Sequence, residues 1–147
     1  MFLFYIIFMF LKNRVHQQND MKDKELKFWT TYPNIFLVAE ITESGKIAGC
    51  IAYRQLTAKN TIEMHRVYVD SKYRRLGIGR KMVKDLLNIA KENGYDTVYL
   101  DTPTSEIAAR TLYERMNFSF LKFDVHRSNF IDFFTGLESI CYICRIE

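Results

Sequence analysis

The chain is poor in the residues that mark the more specialised classes of protein. Its 147 residues include 2 Pro, 6 Gly, 3 Cys and 3 His, with no internal repeat and no low-complexity linker. An odd number of cysteines without dense spacing is not a disulfide framework, and so few His and Cys residues predict no metal site. The formal net charge of +4 is too small to indicate nucleic-acid binding. We therefore expect one globular domain that holds no metal and binds no nucleic acid.

Cys141 and Cys144 form a C-x-x-C spacing, which invites a redox or zinc interpretation. The residues around them predict a strand, however, and positions three apart on a strand face opposite sides of the sheet. We predict that both cysteines are ordinary sheet residues whose thiols diverge.

The N-terminal segment Met1–Leu11 is uncharged and rich in Phe. A helix that spans a bilayer needs about 20 apolar residues, and a signal peptide would have a basic start and a small-residue cleavage site. Neither pattern is present. The residues alone leave a buried strand and a core helix as open alternatives.

The stretch Thr61–Gly94 predicts a strand, a loop and a helix. Ile62–Val69 is rich in β-branched and aromatic residues and is followed by polar ones, which indicates a strand. Gly94 suits the left-handed position that ends a helix. The helix itself is predicted because apolar residues recur at helical spacing on one face; these are Ile78, Met82, Val83, Leu86, Leu87 and Ala90.

The loop has the features of an anion-binding site. A helix N-terminus offers unpaired backbone N–H groups and a partial positive charge, and Gly77 and Gly79 let the backbone approach a ligand closely. The spacing fits neither a P-loop nor a dinucleotide-binding fingerprint, which has a third Gly where this chain has Met82. A pyrophosphate would also meet six basic residues and no acidic one between Ser71 and Lys84: Lys72, Arg74, Arg75, Arg80, Lys81 and Lys84.

The remaining residues predict a mixed α/β domain. Amphipathic helices are predicted over Asp20–Tyr32 and over Ser105–Met116, the second capped by Ser105 or Thr104. The predicted strands are Ile35–Thr42, Lys46–Leu56, Thr97–Asp101, Ser119–Val125 and Ser139–Ile146. The first two of them would form a β-hairpin.

Two motifs resemble those of the GNAT acetyltransferases. Arg74, Gly77 and Gly79 form the pattern R-x-x-G-x-G between a strand and a helix, as in that family's acetyl-CoA loop. Ala108–Phe118, AARTLYERMNF, resembles its second motif, in which a helix carries a tyrosine. The resemblance covers about residues 35–118 and is closest to the camello-like, or N-acetyltransferase 8, branch, whose members share segments similar to FLVAE, KIAGCIA and GYDTVYLDT.

The sequence departs from the family pattern at two positions. Arg75 stands where Gly is commoner, which matters little if the backbone N–H binds the phosphate. Asn117 replaces the usual Gly before Phe118, and Asn tolerates the left-handed conformation better than most residues. We therefore expect the end of this helix to be retained.

The resemblance implies a fold, a cosubstrate and a location. The fold would be an acyl-CoA N-acyltransferase domain over residues 20–147, with a mostly antiparallel twisted sheet flanked by helices and splayed where acetyl-CoA enters. Residues 1–11 would be part of a membrane segment, or the chain would lack the family's first strand. The location would be membrane-associated, as at the endoplasmic reticulum, or cytoplasmic. The residues implied for acetyl-CoA binding are Val67, Tyr68, Val69, Arg74, Arg75, Leu76, Gly77, Ile78, Gly79, Arg80 and Ala109.

Acetyl transfer to an amine needs a base, because an α-amine or a lysine is mostly protonated at neutral pH. Members of the family place a Glu or a His on the central strand for this task, and Glu63 and His65 occupy such positions. Residues two apart share a strand face, barring a bulge. Tyr113 matches the family tyrosine, which can give a proton to the departing thiolate.

The expected activity is direct transfer of acetyl from acetyl-CoA to a primary amine of a small molecule or peptide, without a metal. A catalytically silent acyl-CoA-binding or interaction module would keep the Arg74–Gly79 loop but need neither Glu63 nor Tyr113, and a truncated family fragment is a further alternative. Glu63 could also be a surface partner of a Lys or Arg, His65 a side chain beside the cleft, and Tyr113 a packing residue. The motifs choose neither the acceptor, which in camello-like proteins is a cysteine conjugate, an amino acid or a protein lysine, nor the oligomeric state.

Overall fold

The computed structural model describes residues 4–8, 27–28, 31–125 and 138–146. The described strands are β1 (Phe4–Phe8), β2 (Ile35–Ile41), β3 (Lys46–Gln55), β4 (Thr61–Val69), β5 (Thr97–Pro103), β6 (Ser119–Val125) and β7 (Glu138–Arg145). The described α-helices are α1 (Ile78–Glu92) and α2 (Ile107–Arg115), and a 3-10 turn, Ser71–Tyr73, precedes α1.

The strands form one seven-stranded sheet in the order β1-β2-β3-β4-β5-β7-β6. Every neighbouring pair is antiparallel except β4 and β5, which are parallel because α1 carries the chain back across the sheet between them. This confirms the predicted mixed α/β domain with a largely antiparallel sheet.

The hydrophobic N-terminal segment contributes the edge strand β1. Residues Phe4–Phe8 pair with β2 in antiparallel register, from Phe4 opposite Ile41 to Phe8 opposite Leu37. Among the described residues, no helix is long and apolar enough to cross a membrane. The helix predicted over Asp20–Tyr32 lies mostly outside the described residues.

The main core lies between the helices and one face of the sheet. Met82, Val83 and Leu86 of α1 are at most 1% exposed and share a cluster with Ile62 and Met64 of β4. Each such side chain contributes roughly 1.5–3 kcal/mol of burial free energy. The periodicity that predicted α1 therefore also identified the face that it buries.

The opposite face of the sheet carries a smaller apolar cluster of Phe36, Val38 and Ala52. The two β7 cysteines are free thiols, both buried. Cys144 belongs to the core on the helix side, whereas Cys141 meets Tyr99 on the other face. The predicted divergence of the two thiols is confirmed.

Helix α2 starts later than predicted, and the predicted cap is wrong. Its N-cap residue is Glu106, which makes no side-chain capping hydrogen bond. Thr104 lies two residues before the N-cap, and its N–H donates to the Glu138 carbonyl at 3.0 Å, which continues the strand pairing. At the other end, Asn117 adopts φ 64°, the left-handed conformation expected of it.

Candidate active site

Strands β4 and β5 diverge after a short parallel contact. They pair only from Thr61 opposite Thr97 to Glu63 opposite Tyr99, so the second half of β4 leaves its neighbour. On its other side β4 carries an extra residue, since Cys50 pairs with Tyr68 but Ala52 with His65. A β-bulge of this kind bends a strand and increases its twist, which opens a wedge in the middle of the sheet.

The bulge includes Arg66, whose φ of 57° is left-handed. Val67 follows it at the open edge of β4 with a half-buried side chain, and Tyr68 is exposed. Glu63 and His65 lie before the bulge, so the condition for their sharing a strand face is met.

The loop before α1 has the geometry of an anion site. Gly77 is the helix N-cap, with φ 80° and ψ 2°, and the first helical hydrogen bond runs from Lys81 N–H to the Gly77 carbonyl at 3.0 Å. The backbone N–H groups of Ile78, Gly79 and Arg80 therefore precede the helical ladder and point out of the helix end. These donors fit a phosphate group without any side-chain contribution.

The loop contains a second left-handed residue, Arg75. Arg75 has φ 63°, a conformation that costs an L-residue roughly 1–2 kcal/mol.

Two of the basic side chains in and after the loop contact other groups of the protein. Arg74 Nε donates to the Val69 carbonyl at 2.9 Å, and Lys81 Nζ lies 2.6 Å from Asp85 Oδ2. Arg75 and Arg80 are exposed, as is the loop residue Leu76 at 53%. The Arg74 bond anchors the loop to the end of β4, next to the wedge.

Helix α2 packs against the start of α1. A Cβ on Gly79 would lie 3.3 Å from Leu112 Cδ2 and 3.7 Å from Val69 Cγ2. Ala109, one turn earlier on α2, is half-buried against the core, and Tyr113 is 5% exposed. The structure thus brings the two sequence motifs into direct contact.

Glu63 is the most enclosed charged group of the predicted site. Arg54 Nε and Nη2 lie 2.6 and 2.5 Å from Glu63 Oε2, and His65 Nε2 lies 3.0 Å from the same oxygen. Burial acts to raise the pKa of Glu63, but the hydrogen bonds and charges of His65 and Arg54 outweigh it and hold the pKa below its ordinary value. Glu63 is therefore ionised at neutral pH.

Tyr99 extends this polar group across the sheet. It is paired with Glu63 in the parallel register, and its hydroxyl donates to Cys141 Sγ at 2.9 Å. Burial raises the pKa of Tyr99 above its ordinary value, and Cys141, Asp101 and Glu63 raise it further. Tyr99 also lines an open cleft of about 610 Å³ where β4 and β5 begin and β7 ends.

Tyr113 is buried in the core on the helix side of the sheet. Its ring centroid lies 5.8 Å from that of Phe118 and 6.1 Å from that of Tyr142. Burial raises the pKa of Tyr113 to about 12, with smaller contributions from Glu106 and Asp101. Asp101 contributes to the raised pKa of both Tyr99 and Tyr113.

Sequence reasoning missed Arg54 and Tyr99. Arg54 could have been found from the polar turn Thr57–Asn60. If the strands on either side of this turn pair as an antiparallel hairpin, Arg54 lies opposite Glu63, as it does in the structure. No comparable signal was available for Tyr99, because the register of β4 and β5 depends on a long crossover. Within the described part of the chain, no His, Cys, Asp and Glu side chains cluster so as to hold a metal ion.

The chain is similar in sequence to known acetyltransferases. Residues 4–118 match the family model for the acetyltransferase (GNAT) family. N-acetylaspartate synthetase of Xenopus tropicalis is 35% identical over 101 residues, covering 69% of this chain and 36% of that protein. The protein called probable N-acetyltransferase camello, from the same species, is 33% identical over 102 residues, covering 69% of this chain and 46% of that protein. The chain thus spans about a third to a half of the length of these relatives.

The fold is shared with solved structures as well. A Bacillus anthracis structure described as a streptothricin acetyltransferase in complex with acetyl coenzyme A superposes with a TM-score of 0.73 at 23% identity, covering 82% of this chain and 68% of that one. The predicted resemblance in fold and in branch is therefore confirmed.

Proposed function

This chain belongs to the acetyltransferase (GNAT) family, and on that premise we propose that it transfers the acetyl group of acetyl-CoA to a primary amine by direct nucleophilic attack. The observation that carries the proposal is the wedge between β4 and β5. Three features support it: the helix end at Gly77 follows β4, the ionised Glu63 and the imidazole of His65 lie on β4, and α2, which carries the buried phenol of Tyr113, packs against the start of α1.

The residues before and within α1 fit the diphosphate of acetyl-CoA. Backbone N–H groups of Ile78, Gly79 and Arg80 would bind the phosphate oxygens, and the exposed Arg75 and Arg80 side chains would add charge. The strand edge at Val67 and Val69, with Tyr68 between them, would pair with the pantetheine amides as an added strand does. Because the Val69 carbonyl already accepts from Arg74, Val67 would supply most of this pairing. Ala109 would leave room for the arm beside α2.

Glu63 and His65 would remove the proton that makes the acceptor amine unreactive. Since His65 Nε2 lies 3.0 Å from Glu63 Oε2, the two would act together rather than as rival bases. Glu63 is ionised and nearly enclosed, whereas the His65 side chain is 28% exposed and can reach solvent or substrate. A proton taken by either group can pass to the other, directly or through water.

Tyr113 would stabilise the departing thiolate by donating a hydrogen bond. Complete proton transfer from a phenol with a pKa of about 12 to a thiolate whose conjugate acid titrates near 8.5 would be unfavourable by about 5 kcal/mol. A neutral phenol can instead hold its proton against the sulfur while charge develops there. Such a preorganised donor is typically worth about 100-fold to 1,000-fold in rate.

The acceptor is proposed only as a class, a primary amine of a small molecule or peptide. The relatives are longer than this chain, so their acceptors do not identify the acceptor of this protein. A silent acyl-CoA-binding module remains the competing hypothesis, because it would bind at the α1 loop without using Glu63 or Tyr113.

One assay tests the proposal. The protein is incubated with acetyl-CoA and a panel of amino acids, cysteine conjugates and lysine peptides, and thiol release is followed with mass detection of the acetylated product. Amine-dependent thiol release supports the enzyme. Binding of acetyl-CoA without thiol release for any acceptor class would favour the silent module.

A further inference from the structure

Arg54 is placed by the sheet to hold one particular oxygen of Glu63. The two residues are directly opposite in the antiparallel pairing of β3 and β4. Two nitrogens of the guanidinium, Nε at 2.6 Å and Nη2 at 2.5 Å, reach Glu63 Oε2. His65 Nε2 reaches the same atom at 3.0 Å. All three contacts therefore converge on Oε2.

The second oxygen of the carboxylate is left for another ligand. Among the described residues, no hydrogen bond or ion pair engages Glu63 Oε1. The Glu63 side chain is only 9% exposed, and a carboxylate so enclosed stays ionised only when cations or donors compensate its desolvation. An imidazole supplies that charge only when protonated, whereas a guanidinium is cationic at every working pH.

We propose that Arg54 is a positioning residue for acetyl transfer: it holds Glu63 ionised and turned so that Oε1 takes the proton of the acceptor amine, directly or through one water. The inference rests on the proposed function. One proton of the attacking ammonium passes to Oε1 and then to solvent. As the new C–N bond forms and the C–S bond breaks, the remaining excess proton of the amine goes to the thiolate, which leaves as the thiol.

The other groups around Glu63 do not duplicate this role. His65 contacts the same oxygen as Arg54 but is cationic only when protonated. The hydroxyl of Tyr99, on β5, donates instead to Cys141 of β7. Asp101 carries a negative charge near Tyr99 and would not compensate a second carboxylate. Arg54 is thus the permanent cation in contact with Glu63 among the described residues.

A double-mutant cycle on turnover tests the proposal. Arg54→Met should lower kcat roughly 10-fold to 100-fold while the KM for acetyl-CoA stays within about twofold, because part of the effect of a general base is lost. Arg54→Lys, which keeps the charge but not the two-pronged contact, should recover part of that loss. In a Glu63→Gln background, Arg54→Met should change kcat less than about twofold, because the two residues act as one unit. Lys46→Met, which removes an exposed cation at the opposite end of β3 from Arg54, is the control and should leave kcat unchanged.

The outcomes are distinct. An unchanged kcat in Arg54→Met would overturn the proposal. An equal loss of kcat from Arg54→Met in the wild-type and Glu63→Gln backgrounds would also overturn it, because Arg54 would then act on the substrate itself. A carbon-13 titration of the Glu63 carboxyl, assigned with Glu63→Gln, gives a readout that needs no turnover. Its midpoint should rise in Arg54→Met relative to the wild type. If the wild type shows no turnover with any amine, the proposed function fails, and an unmoved midpoint would then also refute the Arg54 contact.

Discussion

Gly79 of α1 lies so close to Leu112 of α2 that a Cβ at position 79 would come within 3.3 Å of Leu112 Cδ2. A Cβ at that distance would be closer than ordinary van der Waals contact. Gly79 and Leu112 therefore join the two motifs by which the chain resembles its family. The glycine at position 79 therefore serves the packing of two helices as well as the approach of a ligand. A large residue there would disturb the fold before it blocked a phosphate, so the loop is better tested at Gly77.

Gly77→Ala should weaken acetyl-CoA binding. The added Cβ meets nothing within 4 Å, but φ of 80° strains an L-residue, which costs roughly 1–2 kcal/mol and disfavours the loop conformation that presents the backbone N–H groups. In the wild type, acetyl-CoA at 100 times its Kd should add about 2.7 kcal/mol of stability. Thermal unfolding with and without acetyl-CoA measures this, and the ligand-induced rise in Tm should be smaller in Gly77→Ala at equal ligand concentration.

The control lies at the other end of the same helix. Gly94 has φ 84° and equally open surroundings, so Gly94→Ala should cost similar stability without reducing the ligand-induced rise. Equal rises in both variants would refute the assignment of the α1 loop as the phosphate site. No rise in the wild type at millimolar acetyl-CoA would refute the cosubstrate.

Local sequence patterns predicted the strand, loop and helix between Thr61 and Gly94. Most of the features that these patterns missed depend on pairing between strands that are distant in sequence. The extent of α1 and the left-handed residues Gly94 and Asn117 followed from periodicity and helix-end chemistry. The bulge at Arg66 and the Glu63–Tyr99 register depend on how three strands twist past one another, which no window of sequence contains. The roles of Glu63, His65 and Tyr113 remain predictions, although the first two are now known to touch.

Gly49→Ala should destabilise the fold. A Cβ there would lie 2.5 Å from the Tyr68 carbonyl oxygen and 3.1 Å from Met82 Cε. The methionine end could move, but the carbonyl belongs to the bulged strand, so β3 and β4 must separate. We expect a loss of roughly 1–3 kcal/mol, measured as a lower urea midpoint with an unchanged m-value. A midpoint equal to that of the wild type would mean that the bulge yields freely and does not fix the wedge.

The contribution of Glu63 to stability should depend on pH. Its pKa in the folded protein is lowered from an ordinary value of 4.5, with burial opposed and outweighed by His65 and Arg54. A group of this kind stabilises the fold fully above its unfolded pKa, and the contribution is lost as pH falls through the folded value. The wild type should therefore exceed Glu63→Gln in stability at pH 7, and the difference should shrink below about pH 4.5. A difference that stays constant from pH 7 to pH 3 would contradict the direction of the shift.

Tyr113→Phe should separate catalysis from packing. The substitution keeps the ring that packs against Phe118 and Tyr142, so the Tm and the affinity for acetyl-CoA should barely change. Loss of the hydroxyl removes the proposed donor to the thiolate, and kcat should fall roughly 100-fold to 1,000-fold. Because the pKa of Tyr113 is about 12, its phenol stays protonated up to about pH 10, and its ionisation should not lower the wild-type rate in that range.

Tyr142→Phe provides the contrast, since it removes a hydroxyl from the neighbouring ring. That hydroxyl donates to Glu114 Oε1 at 2.7 Å, so its loss should cost about 1 kcal/mol of unfolding free energy and leave kcat within about twofold. Thiol release and thermal unfolding of both variants, measured side by side, give the answer. Equal losses of kcat would show that the two hydroxyls act only through packing around α2. A wild-type kcat in Tyr113→Phe would remove Tyr113 from the mechanism, because the thiolate would then leave without the donor that the buried phenol was proposed to supply.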